Sequence, residues 1–169
     1  MSVDPQDFKQ GMRRLGASVC IITTQRADGT RNGLTATAVC SLSADPPMLL
    51  CCLNRASNTY APIVEAGHFA VNVLSLEDAP LADRFAGTLP AVEKFQMGEW
   101  TEQFTGAPVL ATAMAAFDCH LDRVLEAGTH GILLGAVRHV SLGHASRAPL
   151  LYAQGGYGGF ASELAAMLR

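Results

Sequence analysis

Short segments rich in β-branched and apolar residues recur along the chain, with turn signals between them. They are residues 18–24, 34–43, 48–53, 68–74, 117–122, 131–140 and 150–153. Short helical patterns at 4–16, 57–65, 76–85 and 161–168 do not alternate with them as the helices of a parallel α/β fold would. The pattern predicts a mainly β protein, an antiparallel barrel that is closed or nearly closed, with a few peripheral helices.

Several local patterns refine this expectation. The turn signal Asp28-Gly29 predicts that 18–24 and 34–43 form a hairpin. Apolar residues alternate with acids and His120 over 117–122, which indicates a strand with one wet face at Asp118, His120 and Asp122. Residues 86–108 show no period and predict a covering loop, and the glycines of 155–159 predict a flexible turn.

Composition limits the size and the partners of the molecule. The chain has 169 residues and 17.8 kDa, which predicts one domain over 1–169. Only 16 % of the residues are charged and 49 % are hydrophobic, against an average of about 25 % charged, so we expect a buried subunit interface. A net charge of -3 argues against nucleic acid as a partner. Without an apolar run of about 18 residues or a signal-peptide pattern, we expect no membrane association and a cytoplasmic protein.

No familiar metal or hydrolase motif is present, and the one match to a nucleotide-binding motif lacks its structural context. The five cysteines form no C-x-x-C pair and no zinc spacing, which predicts buried, reduced thiols, with Cys51 and Cys52 on opposite faces of a strand. The histidines lack H-x-x-x-H and H-E-x-x-H spacings, so we expect no metal site. Residues 156–161 match the dinucleotide motif G-x-G-x-x-A, but too little chain follows for a Rossmann unit.

Three segments combine polar groups with small residues. In the tract 32–43, a strand with a period of two would place Thr35, Thr37, Ser41 and Ser43 on one face. The small residues of the tract would leave its backbone accessible, either to a flat polar ring or to a helix or subunit that packs closely against it. Residues 54–59 precede a predicted helix and would either bind a phosphate at its start or simply cap it. His130 lies between Gly128 and Gly131, which favour a turn and close access for a ligand.

Taken together, these segments resemble the flavin reductase family of short split-barrel enzymes. The resemblance rests on motifs in order and spacing over about residues 5–160. They are 32–37 (NGLTAT), 41–43 (SLS), 46–47 (PP), 49–53, 57–59 (SNT), 67–74 (GHFAVNVL), 84–87 (RFAG), 94–95 (KF), 106–110 (GAPVL), 117–119 (FDC), 128–132 (GTHGI) and 150–152 (LLY).

The resemblance implies a homodimeric, FMN-binding split β-barrel of Greek-key-like topology. Such an enzyme would bind FMN or FAD, reduce it by hydride transfer from NADH or NADPH to flavin N5, and in many cases supply reduced flavin to a separate monooxygenase. It also implies roles for particular residues. Thr35, Ala36 and Thr37 would contact the polar edge of the flavin ring, and Ser41, Asn54 and Ser57 would contact the phosphate or the ribityl chain. Phe85 would pack near the flavin, His130 would lie by the nicotinamide, and Tyr157 would close the pocket.

One departure from the family pattern concerns the residue before His130. The family commonly has an aspartate there, and this chain has Thr129, so the neighbouring carboxylate that would orient the histidine is missing at this position. Three alternatives stay open on the sequence: a reductase that uses bound flavin on another substrate such as a cobalt corrinoid, a flavin-binding carrier or sensor without turnover, and a structural or haem-binding barrel without flavin.

Overall fold

The computed structural model describes residues 3–160, and it is built mainly of strands. The strands are β1 (Ala17–Ser18), β2 (Cys20–Gln25), β3 (Arg31–Ala36), β4 (Val39–Ala44), β5 (Pro47–Asn54), β6 (His68–Val73), β7 (Trp100–Glu102), β8 (Pro108–Leu110), β9 (Ala115–Ala127), β10 (His130–Leu142), β11 (Leu151–Ala153) and β12 (Gly156–Gly158). The helices are α1 (Pro5–Met12), α2 (Tyr60–Ala66), α3 (Ala79–Ala86) and α4 (Ala91–Lys94), with a 3-10 turn at Leu76–Asp78. The predicted helix at 161–168 lies outside the described residues.

A seven-stranded antiparallel sheet forms the body of the molecule, in the order β3-β2-β6-β9-β10-β5-β4. Its two edge strands, β3 and β4, are consecutive in the chain and are joined by residues 37–38 alone. Because two residues span at most about 10 Å between the strand ends, the sheet must curl until its edges meet at one end. The predicted mainly β split barrel is confirmed, and the split lies at the β3–β4 connection.

The predicted continuous strand over 34–43 is wrong, because the chain leaves the sheet after Ala36. The β2–β3 hairpin ends where Cys20 pairs with Ala36, and β4 then pairs with β5 on the opposite edge of the sheet. A register shift between Ser41 and Ser43 interrupts β4 as well. The predicted common face of Thr35, Thr37, Ser41 and Ser43 therefore does not exist.

Two segments predicted to be irregular contain regular structure. Residues 86–108 hold α4 and β7, and β7 pairs with β8. Residues 156–158 form β12, which pairs with β11 across a tight turn in which Gly155 has φ of 85°. Short pairings of this kind carry no hydrophobic period, so the sequence pattern could not indicate them.

The packed interior explains a second difference from the sequence pattern. Asp118, expected on a wet face of β9, is buried with 1 % exposure. The loop before β8 covers it, because Thr105 donates both its backbone N–H, at 2.8 Å, and its hydroxyl to the carboxylate. His120 and Asp122 are more exposed than Asp118, as the pattern predicted.

All five cysteines are free thiols, but they differ in exposure. Cys20, Cys51 and Cys119 are buried, and Cys52 is partly exposed on the face opposite Cys51, as the strand pattern predicted. Cys40 is exposed, contrary to the prediction, because β4 is an edge strand. Within residues 3–160, no helix has the length and apolar character needed to cross a membrane.

Candidate functional site

A cavity of about 790 Å³ opens where the barrel splits. Three parts of the chain form it: the end of β3 with the 37–38 connection, the turn after β5, and the segment from Phe85 to Lys94. Seven of the residues singled out in the sequence line it: Thr35, Ala36, Thr37, Asn54, Ser57, Phe85 and His130. Its volume lies in the range of small-molecule and cofactor pockets.

The β3–β4 connection presents backbone donors to this cavity. Thr37 and Ala38 lie outside the sheet, and their N–H groups donate to no other group among the described residues. Both residues line the cavity. The Thr35 hydroxyl donates to Ala82 O at 2.6 Å, which ties the end of β3 to α3. Unpaired backbone N–H groups need an acceptor, so this segment fits a ligand with an acceptor-rich edge.

The turn after β5 differs from the prediction in one important respect. The helix begins at Tyr60 rather than at Ser57, it is seven residues long, and its N-cap residue Thr59 makes no side-chain capping bond. Ser57 Oγ accepts a hydrogen bond from Tyr60 N at 3.3 Å, and Asn54 Oδ1 accepts one from Ala56 N at 2.9 Å. The turn therefore supplies neutral polar groups to the cavity, and the predicted helix start at Ser57 is wrong, since Ser57 lies in the turn before the helix.

His130 lies at the start of β10 and pairs directly with Asn54 at the end of β5. Its ring is exposed, and Nδ1 lies 2.9 Å from the Thr129 hydroxyl. Thr129 therefore takes the place of the family aspartate as the hydrogen-bonding neighbour of the ring. Gly131 serves a packing role rather than ligand access, because a Cβ there would lie 2.4 Å from the Tyr60 ring.

The Phe85 ring forms a fixed wall of the cavity. It packs against Phe95 and Trp100, with ring centroids 5.1 and 5.4 Å away, and only 1 % of the residue is exposed. Gly33 on β3 faces the ring, and a Cβ at that position would lie 2.7 Å from Phe85 Cε1. The close approach of strand and ring depends on the missing side chain.

A second cavity, of about 480 Å³, lies on the other side of the same β3 segment. It shares Thr35, Ala36 and Thr37 with the first cavity, and Tyr157 and Tyr152 line it. Burial raises the pKa of the Tyr157 hydroxyl, with a further contribution from the Asp83 carboxylate. Tyr157 therefore stays protonated, beside the segment expected to contact a flavin ring.

The structure does not bring Ser41 to either cavity. Ser41 lines a separate groove of about 340 Å³, which is mostly apolar and includes Cys20 and Phe117. The break at 37–38 causes this separation, because β4 follows the opposite edge of the sheet.

Three further residues at the site were not singled out as site residues from the sequence. Asn32 Oδ1 is buried and has no hydrogen-bond partner among the described residues. Lys94 is 8 % exposed and lines the first cavity. Arg55 contacts the turn that carries His130, since its guanidinium donates to Gly128 O at 2.9 Å. Asn32 and Lys94 belong to the NGLTAT and KF motifs, but only the tertiary structure shows that they share a cavity.

Comparison with known proteins identifies the family. A family model described as the flavin reductase like domain matches residues 12–161, which is most of the chain. The chain belongs to the flavin reductase family. This flavin reductase family member is accordingly an oxidoreductase.

Individual relatives agree with this assignment. An FMN reductase (NADH) RutF of Bradyrhizobium diazoefficiens is 46% identical over 131 residues, which cover 78% of this chain and 72% of that protein. The NADH:FAD oxidoreductase SgcE6 of Streptomyces globisporus, solved in complex with NAD and FAD fragments, has a TM-score of 0.87 and 28% identity, covering 96% of this chain and 98% of that one. BorF, the flavin reductase component of a bacterial two-component tryptophan halogenase, has a TM-score of 0.86 and 27% identity, covering 94% and 99%.

The first cavity has the donors and acceptors that a flavin requires. The free N–H groups of Thr37 and Ala38 match the acceptor atoms along the polar edge of an isoalloxazine ring. The unpaired Asn32 Oδ1 requires a donor, which a flavin offers as a ring N–H or a ribityl hydroxyl. Beside these polar groups, the Phe85 ring and the backbone of Gly33 lie close together and form an apolar wall. The residues present therefore fit a flavin.

Proposed function

We propose that this flavin reductase family member uses NADH to reduce FMN and supplies the reduced flavin to a separate monooxygenase. One observation carries the proposal: a single cavity brings together the free backbone N–H groups of 37–38, the polar turn 54–59 and His130. The preference for NADH and FMN follows the name of the relative that is 46% identical. The two-component tryptophan halogenase of which BorF is the flavin reductase component supports a separate enzyme as the acceptor of reduced flavin.

The residues of this chain would bind and orient the flavin rather than react with it. Thr37 and Ala38 donate backbone hydrogen bonds to the polar ring edge, and they stabilise negative charge that develops there. Asn54 and Ser57 offer polar atoms to the ribityl chain, and Phe85 packs beside the ring. FMN, when bound, accepts a hydride at N5 from the nicotinamide.

His130 would contact the nicotinamide at the open side of the cavity. The hydrogen bond between its Nδ1 and the Thr129 hydroxyl holds the ring in one orientation, so a positioned imidazole is available without a carboxylate neighbour. Tyr157, on the far side of the 35–37 segment, would limit the access of water from the second cavity.

The same proposal extends to the whole protein. We propose that residues 1–169 form one domain, since the family model already matches 12–161, and that the protein is a homodimer. Exposed apolar residues on β4 and β10 support a subunit contact: Leu42 is 45 % exposed, Val140 43 % and Leu142 81 %.

NADH oxidation at 340 nm tests the proposed function. We expect the rate to depend on free FMN in a saturable way, to be higher with FMN than with FAD, and to be lower with NADPH than with NADH. His130→Ala should raise KM for NADH several-fold with little change in FMN binding. Tyr157→Phe removes only a hydroxyl and keeps the aromatic ring that lines the second cavity. It is the control for a mild substitution next to the site.

The ways in which this assay can fail point to different functions. Flavin binding without oxidation of either nicotinamide would indicate a carrier or sensor. A rate that does not depend on added flavin, in a protein that purifies with bound flavin, would indicate a reductase acting on another substrate. A protein that binds no flavin would contradict the proposal entirely.

A further inference from the structure

Lys94 is a buried cation in the wall of the candidate flavin cavity. It is the last residue of α4, which packs against β3, and only 8 % of the residue is exposed. Among the described residues that line this cavity there is no aspartate or glutamate, and Lys94 is the one lysine or arginine. The cavity therefore carries a positive charge without a protein anion to balance it.

The contacts of Lys94 leave its charge uncompensated. Nζ donates one hydrogen bond, to Phe85 O at 2.9 Å, and it lies 6.0 Å from the centroid of the Phe85 ring. No carboxylate of the described residues lies within 4.0 Å of Nζ. An ammonium group has three N–H donors, so two of them have no protein partner among residues 3–160.

Capping of α3 accounts for only part of this arrangement. Phe85 O is one of the last carbonyls of α3, and a lysine near a helix C-terminus commonly donates to such a group. A cap at the surface would keep its ammonium in water, whereas burial at this position lowers the pKa of Lys94 because it disfavours the charged form. Buried charges in proteins are paired with an opposite charge. Since the described residues supply no anion to Lys94, we expect the bound ligand to supply it.

We propose that Lys94 binds the phosphate of FMN and thereby makes this site selective for phosphorylated flavin over riboflavin. The inference rests on the proposed function, and it deepens it by naming the group that recognises the phosphate. A phosphate monoester carries about -1.5 to -2 charges at pH 7. The residues of the turn 54–59 that line the cavity are all neutral, and Arg55 does not line it, because its guanidinium contacts Glu126 and Gly128 O. The helix that follows this turn has only seven residues and adds no charged side chain to the cavity. Among the described residues that line the cavity, Lys94 is therefore the cation available to the phosphate.

Comparison of FMN with riboflavin isolates the phosphate, because the two ligands share the ring and the ribityl chain. We expect the wild-type protein to bind FMN at least tenfold more tightly than riboflavin, measured by quenching of flavin fluorescence. Lys94→Met should weaken FMN binding about tenfold to a hundredfold and leave riboflavin binding within about twofold. Lys94→Arg keeps the charge and should retain most of the selectivity.

The chain offers a matched control, because it has only two lysines. Lys9 is exposed on α1, and Lys9→Met should leave both dissociation constants unchanged. Equal weakening of FMN and riboflavin by Lys94→Met would overturn the proposal and assign Lys94 to the ring or to the packing of α3. An unchanged preference for FMN in that variant would overturn it as well.

Two further measurements keep the test decisive. If Lys94→Met does not fold, equal affinity of the wild type for FMN and riboflavin would still overturn the proposal, and loss of selectivity by the charged Lys94→Arg variant would do the same. NADH oxidation by the wild type at saturating riboflavin separates the two proposals. If the wild type is active and Lys94→Met does not change the preference for FMN over riboflavin, only this inference is contradicted. If the wild type binds no flavin, the proposed function is contradicted too.

Discussion

Gly33 is the residue at which the cavity tolerates no side chain. Its Cα faces the buried Phe85 ring, and Phe85 cannot retreat because Phe95 and Trp100 pack against it. We expect Gly33→Ala to destabilise the protein by about 1–3 kcal/mol, since overpacking of a filled core has this effect, and to weaken FMN binding. Thermal unfolding and flavin titration measure the two effects.

Gly11 supplies the matched control for this substitution. It lies in the exposed helix α1, and a Cβ added there would meet nothing within 4 Å. Gly11→Ala should leave the protein unchanged or stabilise it by up to about 1 kcal/mol. A Gly33→Ala variant that melts with the wild type would contradict the tight contact described above.

Thiol reactivity provides a second prediction at the residue scale. Burial raises the pKa of both Cys20 and Cys119 to about 12, so at pH 8 only about one molecule in ten thousand carries the reactive thiolate at either position. Cys40 is exposed, and Cys52 is partly exposed in the candidate flavin cavity, where burial also raises its pKa.

We therefore expect iodoacetamide at pH 8 to label Cys40 first and Cys52 more slowly, with Cys20 and Cys119 labelled only after denaturation. FMN should slow the labelling of Cys52 and leave that of Cys40 unchanged. Peptide mass spectrometry reads out each site, and Cys40→Ser removes the fast phase. Rapid labelling of Cys119 in the native protein would contradict the barrel interior described here.

At the scale of elements, Arg55 joins two parts of the site. Its guanidinium contacts Glu126 Oε2 at 2.6 Å and Gly128 O at 2.9 Å, and its backbone N–H donates to Thr129 O at 3.0 Å. These contacts tie the turn after β5 to the β9–β10 turn that carries His130. The ion pair is largely exposed, so it contributes about 1 kcal/mol or less to global stability.

Arg55→Ala should therefore affect the position of His130 more than the stability of the protein. We expect a fall of about fivefold to tenfold in kcat/KM for NADH, faster amide exchange in the β9–β10 turn, and a change in Tm of only a few degrees. Glu126→Gln should have a smaller effect because the bond to Gly128 O remains. Arg123→Ala, on the same hairpin but outside these contacts, is the control. Unchanged exchange in the turn of Arg55→Ala would refute the positioning role.

At the scale of the whole molecule, the exposed apolar face of β4 and β10 predicts a second copy as partner. The strand β4 is an edge of the sheet, and Leu142 on β10 is 81 % exposed. We expect the wild type to have a mass in solution of about twice 17.8 kDa, and Leu142→Glu to shift the equilibrium towards the monomer, because a charge would replace an exposed apolar side chain of the proposed contact.

Light scattering after size-exclusion chromatography measures these masses. Val92 on α4 is 74 % exposed, and α4 packs against β3, at the opposite edge of the sheet from β4, so Val92→Glu should leave the mass unchanged. A monomeric wild type would contradict the homodimer.

The sequence alone determined the secondary structure that depends on local pattern. Apolar and β-branched runs indicated β2, β5, β6, β9 and β10, and the family motifs indicated the split barrel and the residues around the site. These features follow from side-chain period and turn chemistry, which are properties of neighbouring residues.

Only the tertiary structure decided which groups meet. The chain leaves the sheet at 37–38 because β3 and β4 pair with different partners, and this break frees the N–H groups of Thr37 and Ala38 while it carries Ser41 away. Burial of Asp118 under Thr105 and of Lys94 beside Phe85 depends on contacts between segments distant in the chain. Such contacts leave no period in the sequence, because they depend on how the sheet closes rather than on neighbouring residues.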